Sequence, residues 1–221
     1  MPRSSVFVFD AYGTLFDVHA AASRHRDAIG ANWERLSQLW RTKHLEYSWI
    51  HAQTGQRSTF WALTEQSLDY AIASVGGVPA GVRDKLLSAY RSMEAFPEVA
   101  GVLATLKARG HPLAILSNGD PDMLADAVAE AKLRGVFDAV LSVADAHTFK
   151  PAASVYQLAT QCFGVKPDAI SFQSSNRWDI AGAHVFGFRT VWVNRGGMPD
   201  EYPDMPAGRV VRDLRALVGI A

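Results

Sequence analysis

Apolar positions along this chain follow two different rhythms. Val6 to Phe9 is an unbroken apolar run that ends on Asp10 and the turn at Gly13. Short continuous runs of this kind fit strands covered on both faces of a parallel sheet. From Ala20 to about Ala95 the rhythm is helical. Trp33, Leu36, Trp40 and Tyr47 recur at three-, four- and seven-residue intervals, and Trp61, Leu63 and Leu68 continue the pattern without a strand-like segment. After Pro97 strands and helices alternate. A helix is expected over 99–108, closed by Gly110, then a strand over 113–116 ending in SNGDPD, where Asp120 before Pro121 is placed to cap a helix running to about Leu133. Further strands are expected over 140–143, 169–172 and 190–193, the last completing the series. Between them lie helices over about 152–163, closed by Gly164, and from the QSSNRWD turn to Gly187. Strands separated by helices of about ten residues make βαβ units. The fold class is therefore α/β, a doubly wound parallel sheet with a helical block inserted after its first strand.

Composition narrows the function classes. A chain of 221 residues with 48% apolar content can bury a substantial core in one or two domains. The 22 basic and 22 acidic residues cancel, so no basic face is expected for nucleic acid. No apolar run reaches the roughly 18 to 20 residues of a membrane span, and the apolar part of MPRSSVFVFD is too short for a signal peptide. A cytoplasmic protein with no membrane partner is the expectation. The one cysteine, Cys162, cannot form an internal disulfide and falls in a helical pattern, where it reads as core. No His/Cys spacing matches a zinc site.

In open parallel sheets ligands bind beyond the carboxyl ends of the strands. Those ends read Asp10, then Ser117 and Asn118, then Lys150, then Ser174, Ser175 and Asn176 with Asp179 one helical turn on. Any one of them is explained as a helix cap. Four polar strand ends together mark a site. A carboxylate such as Asp10 can attack carbon if it is held in line and stripped of water, which splits a hard displacement into two easier steps.

The stretches DAYGTLFDV, LWRTKHLEYSW, LSNGDPDML, FKP and SSNRWDIAGAHVFGF stand in an order and spacing that resembles the haloacid dehalogenase superfamily, and within it the L-2-haloacid dehalogenases. The likeness spans nearly the whole chain. It implies a Rossmann-like core of residues 1–16 and 96–221 under a helical cap of residues 17–95, and a homodimer. It also implies hydrolysis of small (S)-2-haloacids to (R)-2-hydroxyacids and halide through an ester on Asp10, with no cofactor or metal. Two anions must then meet, so Lys150 is expected to hold Asp10 ionised and balance the substrate carboxylate. Thr14 would orient Asp10, and Ser117, Asn118 and nearby turn amides would bind the carboxylate. Arg41 would take the leaving halide. Asp179 would act as base or orient Lys150, fixed by Ser174 and Asn176. Tyr12, Phe60 and Trp178, with Tyr156 as a polar neighbour, would line the alkyl pocket.

Two alternatives remain open. Most members of the superfamily are Mg²⁺-dependent phosphatases, but Tyr12 and Asn176 stand where those need carboxylates. A silent relative that only binds carboxylic acids is the other alternative. The chain also departs from the usual pattern at Gln173 and Arg177, which are expected to alter pocket polarity or face solvent, and at His184, where a pH-sensitive role in activating water is a candidate against plain helix surface.

Overall fold

The computed structural model describes residues 6–219, so the ends of the expected core segments, residues 1–5 and 220–221, lie outside the described residues. Six strands form one parallel sheet: β1 (Val6–Phe9), β2 (Leu113–Ser117), β3 (Ala139–Ser142), β4 (Ile170–Ser174), β5 (Arg189–Val193) and β6 (Arg209–Val211), in the spatial order β3-β2-β1-β4-β5-β6. β1 sits at the centre and pairs through Phe7 with Leu113 of β2 and through Val6 with Ile170 of β4. Its four residues are all buried, as an apolar run covered on both faces requires. The strand order reverses beside β1, because β2 lies on one side and β4 on the other. That reversal opens the crevice in which parallel sheets bind ligands, directly above Asp10. β6 was not expected. It is a three-residue edge strand, mostly exposed, and too short to show a pattern in sequence.

The inserted block contains α1 (Ala20–Arg24), α2 (Arg26–Ile29), α3 (Trp33–Thr54), α4 (Phe60–Ser74) and α5 (Val82–Arg91). The chain leaves the sheet and returns to it at one point. Phe16 bridges Ala95 antiparallel, Phe96 N–H donates to Leu15 O at 2.9 Å, and Asp17 N–H donates to Glu94 O at 3.1 Å. Leu36 and Trp40 of α3 and Leu63 and Leu68 of α4 are buried between the two helices, and Trp40 Nε1 donates to Thr64 O at 2.9 Å. Each such side chain contributes roughly 1.5–3 kcal/mol by leaving water.

The later crossovers use α6 (Val99–Ala108), α7 (Pro121–Glu130), α8 (Ala153–Phe163) and α9 (Arg177–Phe186). Two expectations fail here. Asp120 does occupy the N-cap position of α7, but its side chain makes no cap bond there and turns instead to the inserted helix α4. Cys162 is exposed rather than core, since the inward face of α8 is Val155, Tyr156 and Ala159.

Candidate active site

Asp10 follows the central strand and is 5% exposed. Its two oxygens have different surroundings. Oδ2 accepts from three side chains: Asn176 Nδ2 at 2.8 Å, Thr14 Oγ1 at 3.0 Å and Ser174 Oγ at 3.3 Å. Oδ1 accepts from the Lys150 ammonium at 3.1 Å. Thr14 also accepts from Ser175 N–H at 2.8 Å, which joins the turn after β1 to the turn after β4.

The Lys150 ammonium lies between two carboxylates, because Asp179 Oδ2 accepts from it at 2.8 Å. Both Lys150 and Asp179 are almost wholly out of water. Burial works to lower the lysine, but Asp10 and Asp179 outweigh it and hold the ammonium above its ordinary value. Asp179 is pushed up to about 6, first by burial and then by the charge on Asp10, against the pull of Lys150 and of the Tyr156 hydroxyl. Two carboxylates and one ammonium thus share a buried site.

The residues around the other strand ends support this triad, although Lys150 stands not at the expected strand end but in the turn that follows a 3-10 helix beyond β3. Lys150 N–H donates to Asn118 Oδ1 at 3.0 Å, and the Lys150–Pro151 peptide is cis. Ser117 is fully buried, and its hydroxyl accepts from Gly119 N–H at 3.1 Å, which commits it to its own turn. Asn176 bridges Asp10 to Arg41: its amide nitrogen donates to Asp10, and its amide oxygen accepts from Arg41 Nη2 at 3.0 Å. Arg41 also donates to the Tyr12 carbonyl at 3.3 Å. Arg41, carried by α3 of the inserted block, therefore reaches across to the turns that follow β1 and β4.

Tyr12 begins an aromatic wall. Its ring lies 4.9 Å from Phe60 and 5.8 Å from Tyr90, and Tyr90 lies 5.0 Å from Trp40. His44 packs on Phe60 at 4.2 Å. Burial and the neighbouring Arg41 charge drive His44 down to about 3, so it is neutral, while burial pushes Tyr90 up to about 12. Neither His44 nor Tyr90 was singled out from sequence, where both pass for cap core. The available signal was position: His44 follows Arg41 by three residues and so shares its helix face. A cavity of about 620 Å³ runs in from solvent to Arg41 and Asn176 past Trp178 and Arg195, and Asp10 lies behind it.

Several expected roles are relocated. Tyr156 turns its hydroxyl to Asp179. It is fully buried behind Asp179, donating to Oδ1 at 2.8 Å among Phe172, Phe186 and Phe188. Gln173 and Arg177 do not face solvent: Asp10 N–H donates to the Gln173 carbonyl at 2.9 Å, and Arg177 lines the cavity without bonding to Asp10. Gln173 is buried in β4 and donates to Ser171 Oγ, and Arg177 is buried in an ion pair with Asp200 at 2.6 Å. His184 is exposed, five residues and so about 140° around α9 from Asp179. Among the described residues no cluster of three or more His, Cys, Asp or Glu could hold a metal. The donor set does not fit Mg²⁺ either, because the space between the two converging carboxylates is held by an ammonium rather than by further oxygens.

A parallel sheet that delivers a lysine-paired carboxylate from its central strand, beneath an inserted helical block, defines a class of hydrolases. The family model for haloacid dehalogenase-like hydrolases matches residues 5–187, and the chain belongs to that family. It is 44% identical over 211 residues to (S)-2-haloacid dehalogenase 4A of Burkholderia cepacia, covering 95% of this chain and 91% of that protein. The crystal structure of a dehalogenase that is 42% identical superposes with a TM-score of 0.97, covering 100% of this chain and 98% of the other. The L-2-haloacid dehalogenase from Xanthobacter autotrophicus, solved with chloropropionic acid covalently bound, is 35% identical with a TM-score of 0.88, and the match covers 98% of each chain.

Proposed function

We propose that this enzyme hydrolyses small (S)-2-haloalkanoic acids to (R)-2-hydroxyalkanoic acids and halide. The observation that carries the reading is the division of labour on Asp10. Oδ2 is held by three donors, so Oδ1 keeps the lone pairs that attack C2 of the substrate from the face opposite the halogen. Inversion at C2 follows from that line of attack. The halide leaves toward Arg41, whose guanidinium meets the charge as it develops, with Asn176 beside it. Lys150 offsets the repulsion between Asp10 and the substrate carboxylate, which the amides of the Asn118 turn also bind.

The same three donors act again in the second step. Once Oδ1 is alkylated, Oδ2 is the ester carbonyl oxygen. Water attacking the ester carbon places negative charge on Oδ2, where Thr14, Ser174 and Asn176 already form an oxyanion hole. Asp179 takes the proton from that water, since a carboxylate raised to about 6 is a base poised near neutral pH. Collapse breaks the Cγ–Oδ1 bond, the departing alkoxide takes the proton back from Asp179 to leave as the hydroxyacid, and Asp10 returns to its carboxylate by giving up the remaining proton to water. Tyr12, Phe60 and Trp178 enclose the alkyl group.

On this reading residues 17–95 are a cap that hinges at the Phe16–Ala95 bridge over a core of residues 1–16 and 96–221. The enzyme acts in the cytoplasm as a homodimer, and the exposed Trp49, Ile50 and Val185, which border an apolar groove of about 800 Å³, form a face that a second copy would cover. No helix is long and apolar enough to cross a membrane among the described residues. The test of function is halide release from each enantiomer of 2-chloropropionate in EDTA. Release from the L form alone, abolished by Asp10→Asn, supports the reading, and no release from either form overturns it. Phosphate release that disappears with EDTA would instead favour the phosphatase alternative.

A further inference from the structure

The loop after β2 makes contacts that the reaction does not use. Asp120 Oδ1 accepts from Phe60 N–H at 3.0 Å and Oδ2 accepts from Trp61 N–H at 2.8 Å. These are the first two amides of α4, which has its own N-cap, Thr59, bonded to Ala62 N–H at 3.0 Å. The carboxylate is thus a second acceptor supplied from across the cleft, and it completes the first turn of α4 with negative charge where the helix dipole favours it. Next to it, Gly119 touches the Tyr12 ring so closely that an added Cβ would lie 2.7 Å from the ring. One loop therefore abuts Tyr12 and grips the backbone of Phe60, the two facing residues of the aromatic wall. Arg91 at the end of α5 reinforces the grip, pairing with Asp122 at 2.9 Å and Asp126 at 3.0 Å while lying over the Trp61 ring.

We propose that Asp120 is a positioning residue that latches α4 to the sheet and so sets the width of the gap between Phe60 and Tyr12, and with it the size of alkyl group accepted. The inference rests on the proposal that these two rings enclose the substrate's alkyl chain. The hinge at Phe16 and Ala95 holds only one end of the block, so the latch determines how closely the Phe60 end approaches. Losing both charge-assisted bonds releases Phe60 without touching Asp10, Lys150 or Asp179.

Two readouts test the latch on the full-length enzyme. The loop before α4 exposes Arg57, a trypsin site whose cleavage reports fraying of that helix end whether or not the enzyme turns over. Asp120→Ala is expected to speed native-state cleavage after Arg57 about tenfold, and Asp120→Asn, which keeps one acceptor, less. The same Ala variant is expected to raise KM for 2-chloropropionate and 2-chlorobutanoate about tenfold, leaving chloroacetate within about twofold, because chloroacetate has no alkyl group to enclose. Equal losses on all three substrates, or an unchanged KM profile, overturn the specificity role. Unchanged proteolysis overturns the latch. If wild-type enzyme releases no halide from any of the three, the functional reading fails, and the trypsin arm still decides the latch alone. If Asp120→Ala does not fold, Asp120→Asn carries both readouts.

Discussion

The Tyr156 hydroxyl is buried against Asp179 and gives its hydrogen bonds to that residue, which makes Tyr156→Phe a selective perturbation of the second step. The hydroxyl donates at 2.8 Å to Asp179 Oδ1, on the opposite side of the carboxylate from Lys150. It is held there by close approach of α8 to α9 at Gly182, where an added Cβ would lie 2.5 Å from the hydroxyl oxygen. A hydrogen bond to a charged group contributes about 1.5–3 kcal/mol, and 1.36 kcal/mol corresponds to one pKa unit. Removing the hydroxyl should therefore raise Asp179 from about 6 by about one to two units. Because Asp179 must be ionised to accept a proton, the acid limb of the pH–kcat profile should move up by that amount. In halide-release assays from pH 5.5 to 9.5, the variant should retain wild-type kcat within about twofold at pH 9 and lose about three- to twenty-five-fold near pH 6.5. A limb that does not move, or a loss of equal size at every pH, would refute the assignment of Asp179 as the base.

Three further outcomes follow from the same geometry. Lys150→Met leaves two carboxylates buried without their cation, so the fold should lose about 3–5 kcal/mol at pH 8 in urea unfolding, and less at pH 5 where Asp179 can protonate; a loss independent of pH contradicts the buried triad. Asp179, raised in the folded state, favours folding most below its unfolded value near 4, and this contribution of about 3 kcal/mol fades as pH rises through about 6. Wild type should accordingly gain stability relative to Asp179→Asn between pH 7.5 and pH 5, and an unchanged difference between the two proteins would contradict the raised value. Arg41→Lys keeps the charge but loses the guanidinium whose Nη2 meets both Asn176 and the Tyr12 carbonyl and whose other N–H groups can meet the halide, so kcat should fall about ten- to a hundredfold with a smaller change in KM; a change confined to KM would remove Arg41 from halide departure.

The strand ends were legible because a parallel sheet buries its strands on both faces, so a polar residue closing an apolar run is conspicuous. Asp10 and Asn176 were visible in this way, whereas Lys150 lies in a turn well past the end of β3, and the structure brings both Lys150 and Asn176 within hydrogen-bonding reach of Asp10. What stayed hidden depended on which neighbour a side chain turns toward. An aspartate before a proline reads as the cap of its own helix, yet Asp120 serves a helix some sixty residues earlier, a partner that only tertiary docking supplies. Tyr156 is expected only as a polar neighbour of the pocket, and its hydrogen bond to Asp179 depends on the close approach of α8 to α9 at Gly182, which sequence does not show. Cys162 sits in the last turn of α8, where helical periodicity no longer implies cover. His44 and Tyr90 were lost for a related reason: buried aromatic residues of a helical block look alike in sequence whether they face a core or a pocket.

The central claim is that Asp10, and not water, attacks carbon. A single turnover in H₂¹⁸O with enzyme in excess over (S)-2-chloropropionate tests it directly. If Asp10 Oδ1 forms the ester and water then attacks the ester carbon, the first lactate released carries unlabelled oxygen at C2, and the ¹⁸O is found on Asp10 in the peptide spanning residues 6–18. Label in the first lactate, with none on Asp10, would contradict the account.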